Sequence, residues 1–324
     1  MTAFDLDDLD RATAIVRRHV PPTPQYRWPM LDAVAGSSVV VKHENHTPVG
    51  AFKVRGGLVY LDRLVRERPD VRGIISATRG NHGQSLAFAG RAHDRAVTIL
   101  VPHGNSVEKN AAMRALGADV IEYGDDFQEA RERSVELAAE LGFEPVPPFH
   151  PDLVLGVATY ARELFDAAGP FDTVYVPVGM GSGINALIAV RDLLGLDTDI
   201  VGVVSEAAPS TRLSFDAGRV VTTGSAATFV DGVATRSPDA DAIAGIIAGA
   251  ARNIEVSDDA TAEAMRIIFR TTHNVAESAG AIGFAGLLSE PPQRRGERSA
   301  FVLCGGNVDS AQFHAVLGGT TPPP

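Results

Sequence analysis

The chain has a single cysteine among its 324 residues, Cys304, so no internal disulfide can form and a reducing cytosol is expected. Basic residues are outnumbered, 29 Lys and Arg against 40 Asp and Glu, and the net charge of −11 leaves nothing to neutralise a phosphate backbone. That balance excludes a nucleic-acid partner. Apolar runs are short, and none reaches the roughly 18 to 20 residues a membrane helix needs. The N-terminal MTAFDLDDLDRATAIVRRHV is acidic where a signal peptide would be basic, and it lacks an apolar core segment. A cytoplasmic protein with no membrane partner is therefore expected. There is no internal repeat and no low-complexity linker. The nine histidines show no paired zinc spacing, and no G-x-S-x-G elbow is present.

What remains is a chain 45% hydrophobic and 21% charged, long enough for a substantial core and about two domains. Residues 6 to 19 read as a first helix, with acids in its first turn and Arg17 and Arg18 in its last. Pro21 to Pro29 then forces extended chain. Beyond residue 37, short β-branched runs (SSVVVKHE, GIISA, AVTILVP, ADVIEY, FDTVYVPV, DIVGVVSEA, SAFVLCGG) take turns with amphipathic stretches such as ERSVELAAELG, INALIAVRDLLG and DDATAEAMRIIFRTT. This alternation predicts α/β architecture with mostly parallel sheets. Gly117, Gly142 and Gly195 stand where helices end, and the final GGTTPPP reads as a disordered tail.

Four segments carry candidate chemistry. In KHENHTPVGAFKVRGGLVYL, Lys53 lies among Val49, Gly50, Ala51 and Phe52, where a strand is expected to give way to an amphipathic helix. An ammonium in a partly apolar cleft is disfavoured, which frees a neutral amine for condensation with a carbonyl. A solvated lysine at a helix start is the plainer reading, and local context alone does not decide between them. In SATRGNHGQSLAFAG, a strand ends near Ala77 and Gly80-Asn81-His82-Gly83 turns into a helix expected from about Gln84. Amides at such a turn suit a carboxylate, though an ordinary N-cap loop looks the same. In PVGMGSGINA, Gly179, Gly181 and Gly183 lie between a strand and a helix, with Ser182 adding a hydroxyl. The glycines let backbone wrap a phosphate at the positive end of a helix. The spacing is G-x-G-x-G, and the next acid after a strand, Glu206, comes later than the ~20 residues of a dinucleotide fingerprint, so a phosphate fits better than NAD. In FVLCGGNVD, Cys304 ends a buried strand, a position that is more often core packing than chemistry.

Taken in this order, and with PPTPQ before them and VAESAGA between the last two, these segments resemble the fold-type-II pyridoxal-phosphate family of threonine dehydratases, serine dehydratases and serine racemases. The resemblance covers nearly the whole chain. It implies a tryptophan-synthase-β-like architecture of a large cofactor-binding domain (residues 1–71 and 148–324) and a small substrate domain (72–147), assembled as a homodimer. It implies that Lys53 holds pyridoxal 5′-phosphate as a Schiff base and removes the Cα proton. Phe52 is implied to pack near the cofactor ring and Asn81 to bond its 3′-oxygen. Gly179, Met180, Gly181, Ser182 and Gly183 are implied to bind its phosphate, and Cys304 to face the pyridine nitrogen. Thr78, Gly80, Asn81 and His82 are implied to surround the substrate carboxylate. A thiol is a neutral partner that does not force the ring nitrogen to be protonated, and this favours elimination over transamination.

Two positions depart from the pattern. Where racemase-like members carry a second-face serine and dehydratases alanine, this chain has Arg79, a poor proton shuttle. Arg79 is either a contact for an anionic substrate group or an ion pair that fixes its loop. Where metal-binding relatives place an acid six residues after Glu206, Arg212 stands, so no family-type divalent site is expected. The expected activity is β-elimination of water from a small β-hydroxy-α-amino acid, L-threonine or L-serine by default, giving a 2-oxo acid and ammonia. A 3-hydroxyaspartate or other hydroxy-amino-acid dehydratase, a serine racemase, and a non-catalytic cofactor-binding protein are the alternatives. A nicotinamide dehydrogenase would rest on the GMGSG loop alone. No second regulatory domain follows, so control by an isoleucine-type effector is not expected.

Overall fold

The computed structural model describes residues 4–125 and 127–324. Among the described residues there are ten strands: β1 (Gln25–Arg27), β2 (Ser38–His43), β3 (Gly73–Ala77), β4 (Ala96–Val101), β5 (Asp119–Glu122), β6 (Glu144–Pro145), β7 (Thr173–Pro177), β8 (Asp199–Ser205), β9 (Arg252–Val256) and β10 (Arg298–Leu303). They form two sheets. The larger runs β1-β2-β10-β7-β8-β9 and the smaller β5-β4-β3-β6. Every pairing is parallel except that of β1 with β2.

Parallel pairing requires crossovers, and helices supply them on both faces of each sheet. In the smaller sheet the two-residue period divides neighbouring side chains between two cores. Ile74 and Ile99 pack with Val54, Leu58 and Leu86 on one side, while Ile75 and Leu100 pack with Ala130 and Ala138 on the other. The larger sheet carries the main core, in which Val39, Val41, Val174, Val176, Val201, Val203, Phe301 and Leu303 are all buried. The helix Lys53–Glu67 joins the two halves, because it packs with the smaller sheet's core although its first residue belongs to the cleft.

Several expectations need correction. The first helix stops at Arg17, and the chain folds back at His19 and Val20 with 3.0 and 2.9 Å amide bonds to Val16 O. Between β2 and Lys53 lies a separate connection: a short 3₁₀ turn, Glu44–His46, then the bridge of Ala51 to Gly305. Lys53 therefore follows a structured loop rather than a strand end. The helix after the GNHG turn begins at Asn81, not near Gln84. The tail is not free as far as Thr321. Thr320 N donates to Ala315 O at 3.0 Å, and the Thr321 hydroxyl donates to Asp259. RNIEV, without a clear alternation, forms edge strand β9 and gives no strand signal of its own. Gly117, Gly142 and Gly195 adopt left-handed φ angles of 99°, 64° and 62°, as helix-ending glycines do.

Candidate functional site

The carboxyl ends of β7 and β10 in one sheet and the turn after β3 in the other open onto one crevice, the place where α/β sheets present ligands. Phe52, Lys53, Asn81, Gly179, Met180, Gly181, Ser182, Gly183 and Cys304 all line it, together with Pro177, Gly232, Glu277 and Ala279. Residues far apart in the chain thus meet in a single cleft.

Lys53 is held by its backbone. Phe52 N donates to Cys304 O at 3.0 Å, and Gly306 N to Gly50 O at 2.9 Å, which stitch the loop before Lys53 to the end of β10. Ser85 Oγ donates to Lys53 O at 2.6 Å. The Lys53 ammonium lies 4.8 Å from the Phe52 ring centroid. Burial pushes its pKa below the ordinary lysine value, and the nearby Cys304 and Glu277 offset only part of that. An amine there is more readily neutral than one in water.

Below the cleft floor, Arg55 is fully buried and bonds Glu44 at 2.8 and 3.0 Å and Glu163 at 3.0 and 3.0 Å. Lys42 Nζ donates to the same Glu163 at 2.7 Å. These buried cations and carboxylates, in direct contact, fix the start of the Lys53 helix to β2 and to the helix Pro151–Ala168.

The turn after β7 fits a phosphate. Gly181 is the N-cap of helix Ser182–Leu193 at φ 93°, with no side chain capping the first-turn amides. Those donors, at the positive end of the helix, face the cleft and need an acceptor. Cys304 is buried, and burial raises its thiol pKa well above normal, so the sulfur stays protonated and neutral. Residues and group match: an amine for an aldehyde, free amides for a phosphate, a neutral thiol for a ring nitrogen.

The GNHG turn forms the opposing wall. Thr78 Oγ1 accepts from Gly80 N at 3.1 Å, closing the turn. His82 is buried with Nε2 unpartnered, and burial first, then the charge of Lys53, lowers its pKa to about 3. Its imidazole is neutral at physiological pH. Arg79 is different: its side chain is half exposed and its guanidinium lies 3.9 Å from Asp231.

Glu277, Asn307, Lys109 and Asp231, not foreseen from sequence, complete the site, and Gly305 makes room for the first of them. Glu277, buried at the N-cap of helix Ser278–Ser289, accepts from Asn81 Nδ2 at 2.6 Å. Asn307 Nδ2 donates to Asn81 Oδ1 at 2.9 Å and Val49 O at 2.8 Å, so both amide atoms of Asn81 are committed. Gly305 admits Glu277 to within van der Waals range of its backbone, where any side chain would collide. Lys109 and Asp231 stand at the mouth. A lone acid heading a Gly/Ala-rich helix, as in AESAGA, is the one local sign of Glu277, whereas Lys109 and Asp231 have none.

Arg212, at the position where an acid was sought, pairs with Asp216 at 2.9 Å and Glu255 at 3.4 Å. A guanidinium already neutralises these carboxylates. Activity is therefore expected to survive EDTA unchanged; a large loss restored by Mg²⁺ would show that another site holds a cation.

Residues 16–305 match the family model described as pyridoxal-phosphate dependent enzyme. Among curated proteins, the L-threo-3-hydroxyaspartate ammonia-lyase of Saccharomyces cerevisiae is 31% identical over 97% of this chain and 96% of its own length. The Pseudomonas sp protein of the same name is 32% identical over 92% and 93%. Among solved structures, the processed form of threonine deaminase isoform 2 from Solanum lycopersicum superposes with a TM-score of 0.88, 28% identity and coverage of 99% and 96%. The chain belongs to the pyridoxal-phosphate dependent enzyme family, in its threonine/serine dehydratase branch, and its cofactor is pyridoxal 5′-phosphate.

Proposed function

We propose that this enzyme removes the elements of water from a small β-hydroxy-α-amino acid by β-elimination and releases a 2-oxo acid and ammonia. The observation that carries this reading is the pairing, in one cleft, of the desolvated Lys53 amine with the neutral Cys304 thiol. Relatives named as ammonia-lyases and a threonine deaminase support it.

Pyridoxal phosphate, when bound, supplies an electron sink next to the amino acid's Cα. The amides of Gly179 to Gly183 would hold its phosphate, Lys53 its aldehyde carbon and Cys304 its ring nitrogen. The turn Thr78 to His82 would hold the substrate carboxylate, with the His82 imidazole neutral and unable to draw that carboxylate into an ion pair. Lys53 would be the base that takes the proton from Cα, and burial favours the neutral amine able to do so. The β-hydroxyl leaves with a proton as water. The released enamine takes up water and yields the oxo acid and ammonia. The neutral Cys304 thiol would leave the ring nitrogen unprotonated, which would make the group a weaker electron sink and favour loss of the β-hydroxyl.

L-Serine, L-threonine and threo-3-hydroxyaspartate share the reacting N–Cα–Cβ–O unit and differ beyond Cβ. The first two are the default substrates of this fold and the third is that of the relatives above. Racemisation is disfavoured, because Arg79 stands where a second-face proton donor would be needed and an always-charged guanidinium is a poor proton shuttle.

Replacing Cys304 by Ser is expected to leave an active enzyme within about tenfold of wild type, since a hydroxyl is the same kind of neutral partner. Replacing it by Asp should protonate the ring nitrogen and divert turnover to reprotonated by-products. Product analysis of both variants checks this. A folded, cofactor-loaded but inactive Cys304→Ser protein would assign the thiol a role that oxygen cannot fill.

A further inference from the structure

The mouth of the cleft carries two cations with too little to bind. Arg79, in the turn after β3, makes no hydrogen bond through its guanidinium among the described residues, and its one acidic neighbour is Asp231 Oδ1 at 3.9 Å. Lys109, in the first turn of helix Val107–Ala115, has a side chain only 11% exposed, yet its ammonium lies 3.6 Å from Asp231 Oδ2 and 3.8 Å from Glu277 Oε2. These are ion contacts without hydrogen bonds. Elsewhere the buried cations are paired closely, as Lys42 and Arg55 are, because a desolvated charge is costly without a close partner. Glu277 is a weak partner for Lys109, since it already accepts from Asn81 and burial favours its neutral form. Asp231 is therefore shared between two cations and touches neither closely.

The two sides belong to different halves of the fold. Arg79 and Lys109 lie on the smaller sheet's side, and Asp231 and Glu277 on the larger sheet's side. Gly232, next to Asp231, lines the cleft beside Lys53, so the couple borders the space where a substrate's β-substituent would extend. We propose that Arg79 and Lys109 form a clamp for a second anionic group on the substrate, and that Asp231 is its built-in stand-in, displaced when a dicarboxylic β-hydroxy-amino acid binds. The inference rests on the elimination reading above and names the substrate class for that same site. A carboxylate free to approach to 2.7–2.9 Å would satisfy both cations better than the tethered Asp231 does. The swap would also replace one bridge between the two halves by the substrate itself, and draw them together over the cleft.

The test has two arms on the holoenzyme. In the first, kcat/KM is measured for threo-3-hydroxyaspartate and for L-serine in wild type, Arg79→Met and Asp231→Asn. The ratio of the two is expected to fall about ten- to hundredfold in Arg79→Met and to rise in Asp231→Asn, where the internal competitor is weakened. In the second, calorimetric titration with succinate, which cannot react, is compared with propionate. Succinate should bind more tightly than propionate to wild type, more tightly still to Asp231→Asn, and no better than propionate to Arg79→Met. Equal losses on both amino acids in Arg79→Met, or a succinate affinity that neither variant changes, would overturn the clamp and leave Arg79 and Asp231 as a loop-fixing pair. A wild type that turns over neither amino acid but follows the succinate pattern would sink the elimination reading while leaving the clamp standing.

Discussion

Lys53→Ala is expected to abolish turnover, with kcat/KM reduced by several orders of magnitude, and to remove the cofactor's absorbance band near the visible edge at the same time. Among the residues that line the cleft Lys53 is the only lysine, and the ammonium of Lys109 at the mouth is engaged with Asp231 and Glu277. Covalent attachment and proton removal are assigned to the same nitrogen, so the variant loses nucleophile and base together, and no neighbouring group retains half of the function. The fold should persist, because the Lys53 helix is fixed by backbone bonds at Phe52 and Ser85 and by Arg55. The check is the absorbance spectrum and the activity of the same preparation, with circular dichroism to show that it is folded. Near-wild-type elimination by Lys53→Ala would remove Lys53 from the mechanism.

The second large effect is on stability. Arg55→Leu is expected to cost about 3–5 kcal/mol, because it leaves Glu44 and Glu163 buried with Lys42 and the half-exposed Arg17, 3.3 Å from Glu163, to neutralise them. Glu163 is held ionised by Arg55 and Lys42 against burial that would raise its pKa. With Arg55 gone, at least one of the two carboxyls should take up a proton near neutral pH, or the cluster should open. Since the cluster anchors the first turn of the Lys53 helix, cofactor affinity should fall along with the denaturation midpoint. Urea unfolding of wild type and variant, each with and without pyridoxal phosphate, measures both. A change below about 1 kcal/mol, the range of an exposed pair, would mean that the cluster is solvated in practice.

The sequence disclosed these features unevenly, for reasons that lie in the interactions themselves. Strands β2, β3, β4, β5, β7, β8 and β10 announce themselves through β-branched runs, because a buried parallel strand is apolar along most of its length, whereas the short β1 and β6 carry no such run. The helix starts are less legible. Asn81 begins its helix without any side-chain cap, with Gly80 before it, so the usual N-cap signal is missing and Gln84 looks like the first residue. Edge strand β9 reads Arg-Asn-Ile-Glu-Val and gains its pairing from β8 rather than from its own propensity. In the tail, Thr320 and Thr321 are held by contacts to Ala315 and Asp259 that no local composition reveals.

In the site, motifs placed in one loop were readable because their chemistry is local: glycines free the amides of residues 179 to 183, and small apolar neighbours surround Lys53. Glu277, Asn307, Lys109 and Asp231 were not, because each acts through a partner more than a hundred residues away in the chain. Arg79 stood out in the sequence only as a departure. Its loose contact with Asp231, and the sharing of Asp231 with Lys109, exist only once the two sheets face each other.

The central claim is elimination from a β-hydroxy-α-amino acid. The direct test is to incubate cofactor-loaded enzyme separately with L-serine, L-threonine and threo-3-hydroxyaspartate and to quantify 2-oxo acid and ammonia together. At least one substrate is expected to yield both products in equal amounts, catalytically and only while Lys53 is present. Full cofactor loading with no oxo acid from any of the three, or racemised amino acid as the main product, would contradict it.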